Sequence, residues 1–164
     1  MGLDQYLCTD QYFSSTWEKT GEQAEAIREI CQIPSPLIHK VNATVRITLM
    51  EWHKCYWLDS FIRTNAQATA SGPDSPEVLV DDLVLKRFIK AADNVLQVEL
   101  NPQTGQPYNM HELFPHPDWW FDSTPKRPAV YDSDDLKILS ITKERFEQIL
   151  KDIPNVDLVY RVSV

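Results

Sequence analysis

The 164-residue sequence predicts an α+β fold: a single domain over residues 1–164, built on an antiparallel or mixed sheet packed by three to four helices. Three stretches carry that expectation. Val41, Ala43, Val45, Ile47 and Leu49 alternate with Asn42, Thr44, Arg46, Thr48 and Met50, the period of a strand with one buried face. From Glu51 the period changes, and Cys55, Leu58, Phe61 and Ile62 fall on one side of a helix, so a strand runs almost directly into a helix. Near the other end Val156, Leu158, Tyr160 and Val162 alternate again, as a closing strand would. Alternating strands separated by helices favour an antiparallel or mixed sheet over a doubly wound parallel one.

Taken in order, residues 2–13 read as an opening strand or strand pair, with Leu3, Tyr6, Leu7, Tyr12 and Phe13 as apolar surface. Asp4 within it belongs either on the wet face or in a buried pair with Lys54 or Arg46. A helix is expected from Thr20 or Gly21, with Ala24, Ile27, Ile30 and Cys31 turned inward, and Pro34 and Pro36 end it and make residues 33–38 extended. After the central strand and helix, residues 65–73 have no apolar period and form a loop. Ser75 as cap and Pro76 at the first helical position then start a core helix, whose stripe of Val80, Leu83, Val84, Phe88, Ala91, Ala92 and Val95 lasts to about Leu96. Residues 98–100 suggest a short strand, and 101–109 a turn. Residues 136–140 look like a strand, followed by a helix over 141–152 with Thr142 as its cap.

Composition narrows the function classes. Sixteen basic residues against twenty-four acidic ones give a net charge of −8, which works against non-specific binding to a phosphate backbone. The absence of a long apolar run excludes a membrane-spanning helix, and the first ten residues lack the pattern of a secretory signal, so a cytoplasmic location is expected. Cys8, Cys31 and Cys55 are widely spaced and contain no CxxC, which points to free, mostly buried thiols and not to a disulfide framework or thiolate zinc site. No cofactor and no metal are expected. His111, Glu112, His116 and Asp118 have the residue types of a metal site, but Pro115 and Pro117 break any helix that would space them as ligands. Asp132, Asp134 and Asp135 begin like a calcium loop without its later Gly and Glu, and read as a polar turn before a strand.

Two places concentrate groups that could act. The strand-to-helix junction holds Trp52, His53, Lys54 and Asp59, and a later segment holds Trp119, Trp120, Ser123, Thr124, Tyr131 and Asp132. With Asp4, these are the candidate ligand- or partner-binding residues, expected to lie close together. In one reading they are a salt-bridge and hydrogen-bond network that fixes how three segments meet. In the other they line a pocket for a nucleotide-type compound, with Trp52 as a stacking platform and Lys54, Ser123, Thr124 and Asp132 as polar contacts. Trp119 and Trp120 are adjacent, so in a strand their rings point oppositely, and one is expected at a surface or interface.

The opening MGLDQYL, the EWHKCYWLDSF junction and the later WWFDSTPKRPAVYDSDDL block, in that order, resemble a group of small uncharacterised proteins encoded by bacteriophages and prophages. Gly2, Leu3, Asp4, Tyr6 and Leu7 match the group's opening, Trp52 and Lys54 its YWRK-like junction, and Phe121, Ser123, Thr124, Tyr131 and Asp132 its aromatic-Gly-Ser-Thr and Tyr-Asp block. His53 stands where the group usually has Arg, and Asp122 where it has Gly. A carboxylate and a Cβ at 122 both work against cradling a phosphate there. The resemblance implies a phage origin and expression in a host bacterial cell. The functional expectation is therefore an accessory protein that binds and modulates a host macromolecule, a protein more than a nucleic acid, without catalysis, and self-association is left open. The alternative is a nucleotide-type small-molecule binding protein or enzyme.

Overall fold

A computed structural model describes residues 3–14, 16, 21–32, 42–66, 77–103, 105, 107, 109–115, 131–155 and 157–163. Among these residues four strands and five helices follow one another as β1 (Asp4–Ser14), α1 (Gly21–Ile30), β2 (Asn42–His53), α2 (Tyr56–Asn65), β3 (Glu77–Val80), α3 (Asp82–Leu96), α4 (Met110–Leu113), α5 (Ser133–Asp152) and β4 (Leu158–Ser163). The strands form one antiparallel sheet in the order β2-β1-β4-β3. The α+β expectation holds, with the sheet wholly antiparallel and one helix more than expected, the four-residue α4.

The core lies between one face of the sheet and the helices α2, α3 and α5. Leu7, Trp52, Tyr160, Leu158, Val78 and Val80 face it from the strands, and Trp57, Phe61, Phe88, Phe114 and Phe146 fill it. Phe88 is its centre: its ring lies 4.8 Å from that of Phe146, 5.3 Å from those of Phe61 and Phe114, and 6.5 Å from Trp57. Contacts of this kind add to the area burial of each ring.

Several local expectations give way here. The central strand of the sequence is an edge strand: β2 ends the sheet, and Val45 and Ile47, expected inside, are 37% and 45% exposed. Alternation records which side chains share a face, but not whether anything covers that face. In α1 only Ala24 is buried, and Ile30 is 79% exposed with Cys31 exposed beside it, so the inward side expected of Ala24, Ile27, Ile30 and Cys31 is covered at Ala24 and not at its far end. The helix expected from Ser75 begins later. Glu77–Val80 is β3, and Asp81, accepting a hydrogen bond from the Val84 amide at 3.0 Å, caps α3. The strand expected at 136–140 is helix, since α5 runs unbroken from Ser133 and is capped by Asp132. Thr142 is therefore a buried mid-helix residue and not a cap. Leu100 forms only an isolated bridge to Pro107 in place of a short strand. Cys8 and Cys55 are buried as expected. The extended path expected over 33–38 lies outside the described residues.

Candidate functional site

The strand-to-helix junction is built by a residue not among the candidates. Gln5, fully buried on β1, donates from Nε2 to the Cys55 carbonyl at 2.8 Å, and its Oε1 accepts from the Cys55 amide at 2.8 Å. One side chain thus bonds both backbone groups of the residue that leads into α2: it gives the Cys55 amide its partner, and it joins the Leu58 and Asp59 amides, at 3.1 and 3.2 Å, on the Cys55 carbonyl. The same Nε2 donates to the Tyr160 hydroxyl at 2.8 Å, which donates in turn to Asp59 Oδ1 at 3.1 Å, and Asp59 Oδ1 also accepts from Arg63 Nε at 2.9 Å. β1, β4 and α2 are fastened by this chain of bonds. Burial, then the nearby Asp59 charge, pushes the Tyr160 hydroxyl far above its ordinary range, so it remains a donor. Leu3, just before β1, and Gln5 and Leu7 within it are buried at alternate positions, so a polar residue between two inward leucines is the signal by which Gln5 could have been found.

The candidate residues fall in three places. Asp4 and His53 lie on the opposite, wet face of the sheet, where Asp4 Oδ1 meets His53 Nδ1 at 2.8 Å and Glu51 lies 3.5 Å from His53 Nε2. Asp4 therefore takes the wet-face alternative, with His53 as its partner and neither Lys54 nor Arg46. The hydrogen bond to Asp4, more than the charges of Asp4 and Glu51, holds the His53 imidazole above its usual range. Trp52 and Asp59 are in the core. The Trp52 indole packs edge-on against Phe146 at 6.2 Å and donates to Thr142 Oγ1 at 2.9 Å, so its ring is sealed between β2 and α5. Tyr131 and Asp132 lead into α5. Asp132 accepts from the amides of Asp134 and Asp135, Asp135 returns the bond to the Asp132 amide, and the buried Tyr131 hydroxyl donates to the Phe114 carbonyl. This is the reciprocal capping arrangement of a helix start. Trp57 Nε1 donates to Asp135 Oδ1 at 2.8 Å, which brings the junction against the start of α5.

Lys54 acts through its backbone. Its φ is 55°, in the left-handed region, and its amide donates to the Leu3 carbonyl at 2.7 Å, so it is the corner at which β2 turns into α2. Its side chain is exposed. Trp119, Trp120, Ser123 and Thr124 lie outside the described residues, as do His116 and Asp118.

On the wet face Arg46 takes Asp10 in a two-pronged bond, 2.7 Å on each side, and reaches Glu77 at 2.5 Å. Three interstrand steps of about 4.8 Å separate β2 from β3 in a flat sheet, so this contact between opposite edges requires a strongly coiled one. The hydrogen bonds to Arg46 hold the Asp10 carboxyl below its usual range. Two neighbouring hollows lie along α5. One of about 190 Å³ is walled by Leu49, Ile149 and Ile153, and one of about 440 Å³ by Ile141 and Glu144, with Arg145, Gln148 and Asp152 shared between them. Among the described residues no group of three or more His, Cys, Asp or Glu is placed to hold a metal ion, and no helix is long and apolar enough to cross a membrane.

Compared with models of protein families, with curated proteins and with solved structures, the chain matches none.

Proposed function

We propose that this protein works by binding another macromolecule, a protein, and modulating it without catalysis. The observation that carries this reading is the use made of its polar groups: Gln5, Trp52, Asp59, Tyr131, Asp132 and Tyr160 spend their hydrogen bonds inside the fold, while Leu96, Val98 and Leu100 stand 40%, 40% and 53% exposed at the end of α3. Three large apolar side chains within five residues, next to a turn, are the kind of surface that a partner covers. The resemblance to phage proteins supports a partner in the host bacterial cell, and the net charge of −8 argues against nucleic acid.

Capture from bacterial lysate, with the wild type and a Val98→Glu/Leu100→Glu variant in parallel, tests the reading. A stoichiometric protein that the wild type retains and the variant loses is expected. Recovery of no such protein, together with thermal stabilisation by a nucleotide at about millimolar concentration, would transfer the function to the small-molecule class.

A further inference from the structure

The edge strand β2 carries an irregularity that changes what it can pair with. Leu7 faces Met50 and Cys8 faces Thr48, so Leu49 is an extra residue, a bulge in the middle of the strand. Leu7 and Thr9 are two apart on β1 and therefore share a face and a hydrogen-bonding direction. Their partners Met50 and Ile47 must share them too, although three residues separate those two in sequence. By the same step Tyr6 and Asp10 give Glu51 and Arg46 a common face and direction. In a strand without a bulge, residues three or five apart point to opposite faces.

The consequence is that β2 matches itself. Turned about a two-fold axis between Thr48 and Leu49 and laid antiparallel, it places Ile47 opposite Met50 and Val45 opposite Trp52 on the core side. On the wet side it places Arg46 opposite Glu51. Because the axis repeats every pairing, Arg46 meets Glu51 twice. Val45 and Ile47 are exposed, and among the described residues no strand lies on the outer side of β2. The Arg46 guanidinium lies over the wet face, bonded to Asp10 and Glu77, so it meets an added strand as a charge beside the edge, and the described contact of Glu51 is the 3.5 Å approach to exposed His53. A bulge and a charge commonly protect an edge from other strands. Here their spacing disfavours a general partner strand and suits a second copy of this one.

We infer that two copies of this chain associate through β2, joining their sheets into one of eight strands, with Arg46 of each copy against Glu51 of the other. This association is independent of the partner proposed above, which uses the far end of α3.

Sedimentation velocity of the full chain from about 1 to 200 μM tests it, together with two variants. The wild type is expected to pass from monomer to dimer across that range. Glu51→Lys, which sets a lysine against each Arg46, is expected to weaken the dimer by about tenfold or more at unchanged thermal stability and circular dichroism. Leu49→Cys in a Cys31→Ser background places its two thiols beside the axis and is expected to oxidise to a linked dimer, whereas Thr44→Cys, far from the axis, is not. A monomer at every concentration overturns the inference, even if β2 then proves to accept another peptide. So does a dimer that Glu51→Lys leaves unchanged and Leu49→Cys fails to link.

Discussion

β1 changes character along its length. From Asp4 to Thr9 it is paired on both sides, with β2 and with β4, and its inward residues Gln5 and Leu7 are fully buried beneath α2, α3 and α5. From Asp10 to Ser14 it is paired with β2 alone, and Asp10, Gln11 and Tyr12 are exposed, as are Thr44, Val45 and Arg46 across from them. The two halves alternate in the same way and hydrogen-bond in the same way. They differ in what lies over them, and an antiparallel ribbon needs a third layer or further strands before its apolar side chains contribute much to stability.

The largest test of that contrast is Phe88→Ala. Removing the ring that four other aromatics meet is expected to cost about 4 kcal/mol in urea unfolding, while Ile47→Ala on the ribbon side of β2 is expected to cost about 0.5 kcal/mol or less at concentrations where the chain is monomeric. Equal costs would mean that the ribbon is covered. Next comes Gln5→Ala, which leaves the buried Cys55 amide without its partner while the Cys55 carbonyl keeps the Leu58 and Asp59 amides, and is expected to cost about 2 kcal/mol; a smaller loss would show that water replaces the side chain. Thr142→Val keeps the volume but strands the Trp52 indole N–H, for an expected loss of about 1 to 2 kcal/mol.

The smallest effects belong to the wet face and are best read as pH dependence. Asp10 has a folded pKa below its unfolded value, so its contribution is present above about pH 4 and is lost as the pH falls through the depressed value. His53 has the opposite sign. Its folded pKa is raised, so the bond to Asp4 contributes below about pH 6.5 and is lost as the pH rises through the raised value. Stability profiles of His53→Ala and wild type are expected to converge at alkaline pH, and an NMR titration should find the imidazole above its ordinary range. Superimposable profiles at every pH would remove the Asp4 interaction from solution.

The candidate residues were legible as types and only in part as places. Trp52, Lys54 and Asp59 lie at the junction where the change of period put them, and the start of α5 is brought against that junction by Trp57 and Asp135. Their roles were not legible, because a hydrogen bond between Gln5 and Cys55, or between Trp52 and Thr142, joins residues 50 or 90 positions apart. Asp132 illustrates the difficulty from the other side: the acidic run that reads as a turn before a strand is the reciprocal cap of a 20-residue helix.

What the sequence determined by itself is local: the strand period of 42–50, the helix stripe of Cys55, Leu58, Phe61 and Ile62, the stripe of α3 from Val84 to Val95, and the closing alternation of Leu158 and Tyr160. Those follow from the side-chain geometry of a single element, which repeats every two or 3.6 residues whatever surrounds it. The tertiary structure decided the rest. It placed β2 at the edge and β4 inside, turned residues 136–140 into helix through a cap at Asp132, and used Gln5 as a fastener, because each of these depends on which distant surface arrives to cover a face or accept a bond.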